Sequence, residues 1–375
     1  MIMRLDKKTS KAKKRSLPDS SVLLGALILA SFILILCSSD VAIEYMKKGL
    51  GLCAKNVIPA LFPFMIISEL IVSSGVGMRV SRLFARPMRW LFGVSEAGAA
   101  AYFLGIICGF PIGAKTAVSM YDKGMISKRE TERLLAFCNN PGSAFVMSAV
   151  GVSLLHSHAL GITLYVCVIL SSMAVGVIGN LLERDRKNEA GAVAYCCQND
   201  AVKAITDAIQ ASALSMLSVC AYVVFFSAIV GCLGSAISRF SPPEEIVAVL
   251  FGFFELSSGV SAAAGIGGRL SAVLLCALFL GWSGLSVHFQ VMSVCSGRGL
   301  SFKAYFISKA AQGILCAAMT GCAVKLFPRM TEVDHAAFLP LRSACEKYCA
   351  VVILSVFATI ILCLFFQLRN KLKKK

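Results

Sequence analysis

The stretch GIICGFPIGAKT, residues 105–116, sets one proline, three glycines and one lysine in an apolar background. Pro111 stops an incoming helix and frees backbone groups at the break, and glycines spaced four residues apart let two helices approach closely. Lys115 costs about 3 kcal/mol in a membrane interior unless it meets a partner or a wet cavity. The stretch therefore predicts a hairpin that enters the bilayer and turns back, with a kinked packing helix as the alternative.

The composition extends this interpretation to all 375 residues. With 57% hydrophobic and 15% charged residues and a mean hydropathy of +0.78, the chain is too apolar for a soluble domain. Apolar windows of about 18 to 25 residues recur, long enough to cross a bilayer as helices. The alternation typical of strands is missing from these windows, so a β-barrel is excluded.

We therefore predict an all-α polytopic membrane protein with about eight transmembrane helices plus two re-entrant hairpins. The predicted spans are residues 22–39, 57–75, 132–155, 159–182, 205–233, 270–294, 305–327 and 348–366. The predicted hairpins are residues 97–121 (hairpin one) and 246–266 (hairpin two).

The basic residues predict the orientation. A net charge of +17 could indicate a nucleic-acid-binding protein. The Lys and Arg residues, however, lie in short connections between apolar segments and form no basic face with aromatic residues, which argues against nucleic acid as a partner. With both termini in the cytoplasm, most of them collect on the cytoplasmic side, Lys303 and Lys309 included. If hairpin one were a full span, every later loop would invert and this segregation would largely disappear.

The cysteines predict neither disulfides nor a metal site. Most of the 16 lie inside apolar segments, where they act as small reduced hydrophobic residues. Cys196 and Cys197 have no matching second pair. We expect no cofactor, and the sequence leaves open whether H⁺ or Na⁺ drives a transport step.

An internal repeat organises the chain. The order span, hairpin, interrupted span, span occurs from about residue 57 to 182 and again from about 205 to 327. The two copies begin in opposite directions across the membrane, and such inverted pairs place binding sites near the bilayer midplane. The predicted divisions are a basic cytoplasmic tail (1–21), a first transmembrane helix (22–39), two repeats (41–182 and 198–328), and a last helix with a basic tail (348–375).

Polar residues in four otherwise apolar segments are the candidate substrate site. They lie in the two hairpins and in the interrupted span that follows each one. They are Gly109, Pro111, Gly113, Lys115, Thr116, Asn139, Asn140, Glu255, Ser257, Ser258, Ser283, Ser286, His288 and Gln290. The lysine and a helix end at hairpin one favour an anionic guest. Some of these residues also have a structural alternative to substrate binding: Glu255 pairs with Lys115, the proline only kinks its helix, or His288 is packed in the core. Glu69, another acid in an apolar segment, serves either interhelical hydrogen bonding or transport.

Five segments of the sequence carry a family resemblance: LFPF (61–64), GFPIGAK (109–115), RLLAFCNN (133–140), GFFE (252–255) and GLSVHFQ (284–290). In this order they resemble the sporulation integral membrane protein YlbJ (SpoVV) family with its nucleoside-recognition (Gate) domain. The resemblance implies a protein in the outer forespore membrane of an endospore former that moves dipicolinic acid from the mother cell. More distantly the chain is similar to concentrative nucleoside transporters, in which two hairpins and two broken helices surround the substrate.

Three alternatives stay open. A carrier of nucleosides or another metabolite fits the same scaffold. An intramembrane serine protease is suggested by GWSG, residues 281–284, but His288 lies about 140° round an ideal helix from Ser283. A scaffold that anchors a complex is the third. We expect no enzyme; the expected partners are the lipid bilayer and a small anionic substrate, not nucleic acid, and a homo-oligomer is left open.

Overall fold

The computed structural model describes residues 20–74, 85–182 and 201–326. Every regular element in these ranges is helical, which confirms the all-α prediction for the described part of the chain. The first range contains α1 (Ser20–Cys37), α2 (Ser39–Leu52), the π-helical turn π1 (Cys53–Val57) and α3 (Ile58–Ser73). The second contains α4 (Ala85–Phe92), α5 (Glu96–Cys108), α6 (Ile112–Asp122), α7 (Lys128–Cys138), the π-helical segment π2 (Phe145–Leu154) and α8 (His158–Leu182). The third contains α9 (Ala201–Ser238), α10 (Glu244–Phe254), α11 (Leu256–Ala264), α12 (Arg269–Trp282), α13 (Gly284–Val294) and α14 (Lys303–Leu326).

Four helical segments of the described ranges are long and apolar enough to cross a membrane. They are His158–Leu182, Val202–Ser238, Arg269–Val294 and Lys303–Leu326. Two bent pairs, with angles of 99° and 82°, raise the number to six if each pair is one span. The predicted count of eight is therefore not confirmed. The span predicted at residues 348–366 lies outside the described residues.

Helix α2 lies where the sequence predicted a connection. It continues through π1 into α3, so that residues 39–73 form an unbroken helical run. Helix α2 packs along α9, where Gly49 contacts Ser227 and Gly231 contacts the ring of Tyr45. Small residues at these crossings let the two helices approach closely, which explains why a segment with lysines is helical.

Both predicted hairpins are formed by paired helices. Hairpin one consists of α5 and α6, which pack together where Gly105 faces Gly113. Hairpin two consists of α10 and α11, which pack together where Gly252 faces Gly259. A Cβ atom on Gly259 would collide with the Gly252 backbone of the opposite arm, and one on Gly105 would collide with the Cys138 carbonyl of α7, so only glycine fits at either position. A pair of facing glycines thus lies between the two arms of each hairpin.

Each hairpin end packs on the interruption that follows it. Helix α7 and π2 are separated by the non-helical residues 139–142 (break one), and α12 and α13 are separated by Ser283 (break two). Gly109, at the end of hairpin one with φ +85°, packs against Gly142. Gly284, with φ +77°, packs against the backbone of Glu255 and Leu256 at the end of hairpin two. The two halves therefore share one internal arrangement.

The halves contact each other through equivalent positions of α8 and α14. Gln312 Nε2 donates to the Val168 carbonyl at 3.3 Å across a sequence separation of 144 residues. Pro111 and Glu255, at the two hairpin ends, are separated by the same number of residues. The contact between α8 and α14 therefore joins two positions that the predicted repeat relates to each other.

The halves are also joined at one end of the molecule. Arg298 makes a bidentate contact with Asp122, with Nε to Oδ1 at 2.7 Å and Nη2 to Oδ2 at 2.6 Å. Nearby, the Ser301 backbone N–H donates to Glu132 Oε1 at 2.7 Å. The connection after hairpin one and the connection between α13 and α14 therefore lie at the same end. The charge distribution assigned both to one side of the membrane.

Candidate functional site

Lys115 of hairpin one is paired with Glu69 of α3. Its Nζ lies 3.3 Å from Glu69 Oε1 and donates to the Ala211 carbonyl of α9, also at 3.3 Å. The side chains are 12% and 18% exposed, so little solvent screens the pair. The alternative pairing of Lys115 with Glu255 is not formed. Glu69 therefore largely neutralises the positive charge of Lys115, which the sequence analysis expected to attract an anionic substrate.

The neighbouring residues of hairpin one also serve packing. Thr116 Oγ1 lies 3.0 Å from Ser68 Oγ, next to the Lys115 to Glu69 pair. Gly113 lies against Gly105 and the Cys138 carbonyl. Pro111 occupies the N-cap of α6 without a side-chain hydrogen bond to the helix.

Glu255 caps its own helix. Its Oε1 accepts from the Ser257 N–H at 3.0 Å and its Oε2 from the Ser258 N–H at 2.7 Å, while the residue is only 3% exposed. Two backbone donors of the first turn are therefore satisfied, and the carboxylate faces the positive end of α11. The structure gives Glu255 a capping role and engages Ser257 and Ser258 through their backbones.

Break one contains one satisfied and one unsatisfied asparagine. Asn140 Nδ2 donates to the Phe137 carbonyl at 2.9 Å, and its Oδ1 accepts from Gln312 Nε2 at 2.7 Å. Asn139 is fully buried, and its side-chain Nδ2 and Oδ1 make no hydrogen bond of good geometry among the described residues, although the Tyr305 hydroxyl lies beside the carboxamide. A buried carboxamide without partners costs about 1–3 kcal/mol. Asn139 is therefore a group that a ligand would satisfy.

Break two shows the same feature. Ser283 has the left-handed φ of +78°, which interrupts the helix. The hydroxyls of Ser283 and Ser286 are buried without a partner in the described ranges. The pairing of Ser283 with His288 that a serine protease requires is not formed.

His288 is held by aromatic neighbours. Its Nδ1 lies 2.8 Å from the Tyr305 hydroxyl, whereas its Nε2 has no partner in the described part of the chain. Its ring lies edge-on to Trp282 at 4.4 Å, and Trp282 stacks on Phe253 of hairpin two at 5.8 Å. Gln290, two residues further along α13, is buried.

Lys309 is the functional candidate that sequence analysis missed. The charge distribution placed it with the cytoplasmic connections, whereas the structure buries it completely within α14. Its Nζ donates to the Asn139 carbonyl at 3.0 Å and to Gln312 Oε1 at 2.8 Å. No carboxylate of the described residues lies within 4 Å of it. Helical periodicity could have identified Lys309 as buried. The buried face of α14 contains, at helical spacing, Tyr305, Lys309, Gln312, Cys316 and Thr320.

The structure therefore divides the predicted residues into two groups. Lys115 and Thr116 contact α3 and α9. Asn139 and Asn140 contact α14, and break two packs against the same helix because Gly281 touches Gly313 and the Gln312 carbonyl. One turn of α14 thus lies between the two breaks. No group of three metal-ligating side chains occurs in the described ranges.

The chain is similar to a sporulation protein. It is 28% identical to the sporulation integral membrane protein YlbJ of Bacillus subtilis (strain 168), and the match covers 78% of this chain and 81% of the relative. No family model and no solved structure matches it. The similarity and the apolar helices support the predicted resemblance, an integral multi-pass membrane protein and a connection with sporulation. The wider likeness to the Gate domain and to concentrative nucleoside transporters stays a prediction.

Proposed function

We propose that this protein transports a small anionic metabolite across a membrane of the sporulating cell. The observation that carries the proposal is the set of buried polar groups without partners at both breaks: the side chains of Asn139, Ser283 and Ser286, and Nε2 of His288. Buried polar groups without hydrogen-bond partners destabilise a folded protein at each position. Their presence at both breaks is explained if they form hydrogen bonds to a bound ligand.

The arrangement around these groups supports a transporter rather than a scaffold. Each break is covered by the end of a hairpin, and the unsatisfied groups are buried, so the site is closed in this structure. A hairpin end that separates from its break would open the site. Two hairpins in opposite orientations would open it to opposite sides, which is alternating access.

Charge supports an anion as the cargo. Lys115 is offset by Glu69, and the carboxylate of Glu255 is bound by two backbone N–H groups. Lys309 has no carboxylate partner within the described ranges. The interior therefore favours a guest that brings negative charge.

Among anions we propose dipicolinic acid, moved from the mother cell across the outer forespore membrane. The name of the relative supports sporulation, and dipicolinate is a flat aromatic dianion. With this function we propose eight transmembrane helices, both termini in the cytoplasm and two hairpins that re-enter the bilayer. A nucleoside carrier is the second candidate, because its scaffold would look the same.

Uptake into proteoliposomes tests the proposal. Vesicles with the purified full chain should accumulate labelled dipicolinate above protein-free vesicles, and excess unlabelled dipicolinate should compete. Labelled uridine and adenosine are the matched alternatives. Nucleoside uptake without dipicolinate uptake would replace the proposed substrate.

A further inference from the structure

Lys309 occupies an unusual position for a lysine. It lies one turn from Gln312, where α14 contacts α8, with no exposed surface. A charged amino group at such a site costs several kcal/mol unless a negative charge compensates it, and burial alone favours the neutral amine. Among the described residues its partners are neutral oxygens, the Asn139 carbonyl and Gln312 Oε1.

The ammonium is held in a fixed orientation. Lys309 donates to Gln312, Gln312 donates to Asn140, and Asn140 donates to the Phe137 carbonyl. The second N–H of Gln312 is bound by the Val168 carbonyl. Each amide in this chain of hydrogen bonds uses both its donor and its acceptor, which fixes the direction of the Lys309 amino group. In its charged form, which a bound anion favours, the group has three N–H groups, and these contacts engage two of them.

Donors without acceptors lie on the elements around it. Asn139, whose carbonyl binds Lys309, has its Nδ2 beside the Tyr305 hydroxyl without a hydrogen bond of good geometry to it. Ser283 follows the segment that packs on the Gln312 carbonyl, and its hydroxyl is unsatisfied. If Tyr305 donates its hydroxyl proton to His288 Nδ1, Nε2 of that ring is a donor as well. A cation would be repelled by Lys309, whereas a carboxylate would accept from the ammonium and from these groups together.

We infer that Lys309, with the Asn139 side chain, binds a carboxylate group of the transported anion between the two breaks. This inference rests on the proposed function and assigns the substrate contact to Lys309 rather than to Lys115, whose charge Glu69 already offsets. The carboxylate replaces the missing counter-charge, so the site discriminates against uncharged analogues. Both breaks contact the same turn of α14, so a carboxylate bound at this turn affects the packing of both breaks.

Calorimetric titration of the purified full chain with dipicolinate tests the inference. Lys309→Gln keeps a hydrogen-bond donor and removes the charge, and it should weaken dipicolinate binding about 10- to 100-fold. Lys309→Met removes the donor as well, and it should fold because a buried charge is replaced by an apolar chain of similar length. Lys303→Gln, at an exposed position of the same helix, is the matched control and should bind normally. Gel filtration establishes that each variant is folded.

The outcomes separate the inference from the proposed function. Normal dipicolinate affinity in a folded Lys309 variant would overturn the Lys309 contact and leave the transporter proposal standing. No binding to the wild-type chain would overturn both. The uncharged dicarboxamide of dipicolinate should bind weakly and equally to wild type and Lys309→Gln, and a tenfold loss for this ligand too would assign Lys309 a structural role instead.

Discussion

Lys115 and Glu69 show how two charges can be kept in an apolar environment. They lie on α6 and α3, and Ser68 with Thr116 adds a second polar contact beside them. Removing one partner of such a pair leaves the other charge uncompensated, whereas removing both leaves none. The pair therefore fixes α3 against hairpin one.

A double-mutant cycle measures this coupling. Lys115→Met and Glu69→Leu should each destabilise the protein by about 3 kcal/mol, and the double variant should recover most of the loss. Thermal unfolding in detergent gives the values. The exposed pair of Lys48 and Glu44 is the control, and Lys48→Met should not change the unfolding temperature. Additive losses in the Lys115 and Glu69 cycle would refute the coupling.

The hairpins are elements whose geometry depends on glycine. An added Cβ on Gly259 would collide with the Gly252 backbone of the opposite arm, and one on Gly113 would collide first with the Cys138 carbonyl of α7. Pro111 and the four-residue spacing of glycines allowed hairpin one to be predicted from sequence. The partner of Lys115 could not be predicted, because sequence spacing does not say which of two buried acids, Glu69 or Glu255, a fold brings close.

Substitution at one of these glycines should separate the arms. Gly259→Ala is expected to cost about 1 to 3 kcal/mol, since the opposing Gly252 backbone has no room to move. Gly179→Ala on α8 meets nothing within 4 Å and should stabilise by about 0.5 to 1 kcal/mol through helix propensity. Thermal unfolding compares the two variants. Equal stability of both would mean that the arms of hairpin two are not closely packed.

At the scale of the whole molecule, the two predicted repeats contact each other through α8 and α14. Composition and charge predicted the helical class, and the order of hairpins and breaks predicted the repeat. The central role of α14 was hidden, because Lys309 looks like a cation at the end of a span until neighbouring helices cover it. The α2 helix was missed for a similar reason, since its packing partner α9 lies far away in sequence.

Site-directed labelling tests the re-entrant arrangement. In a background without exposed cysteines, Arg86→Cys and Lys123→Cys flank hairpin one and should react with an impermeant maleimide from the same side as Lys303→Cys. Glu244→Cys and Gly267→Cys flank hairpin two and should both react from the opposite side. All of these positions are exposed. Labelling of the two flanks of either hairpin from different sides would mean that it crosses the membrane.

Trp282 lies between the ring of Phe253 on hairpin two and the imidazole of His288 on α13. Indole emission changes with the polarity and the quenching groups around the ring, and a neighbouring imidazole is such a group. The chain has only two tryptophans, so replacing Trp90 by phenylalanine isolates the signal of Trp282. The protein therefore contains its own spectroscopic probe, at the point where hairpin two would have to separate from break two.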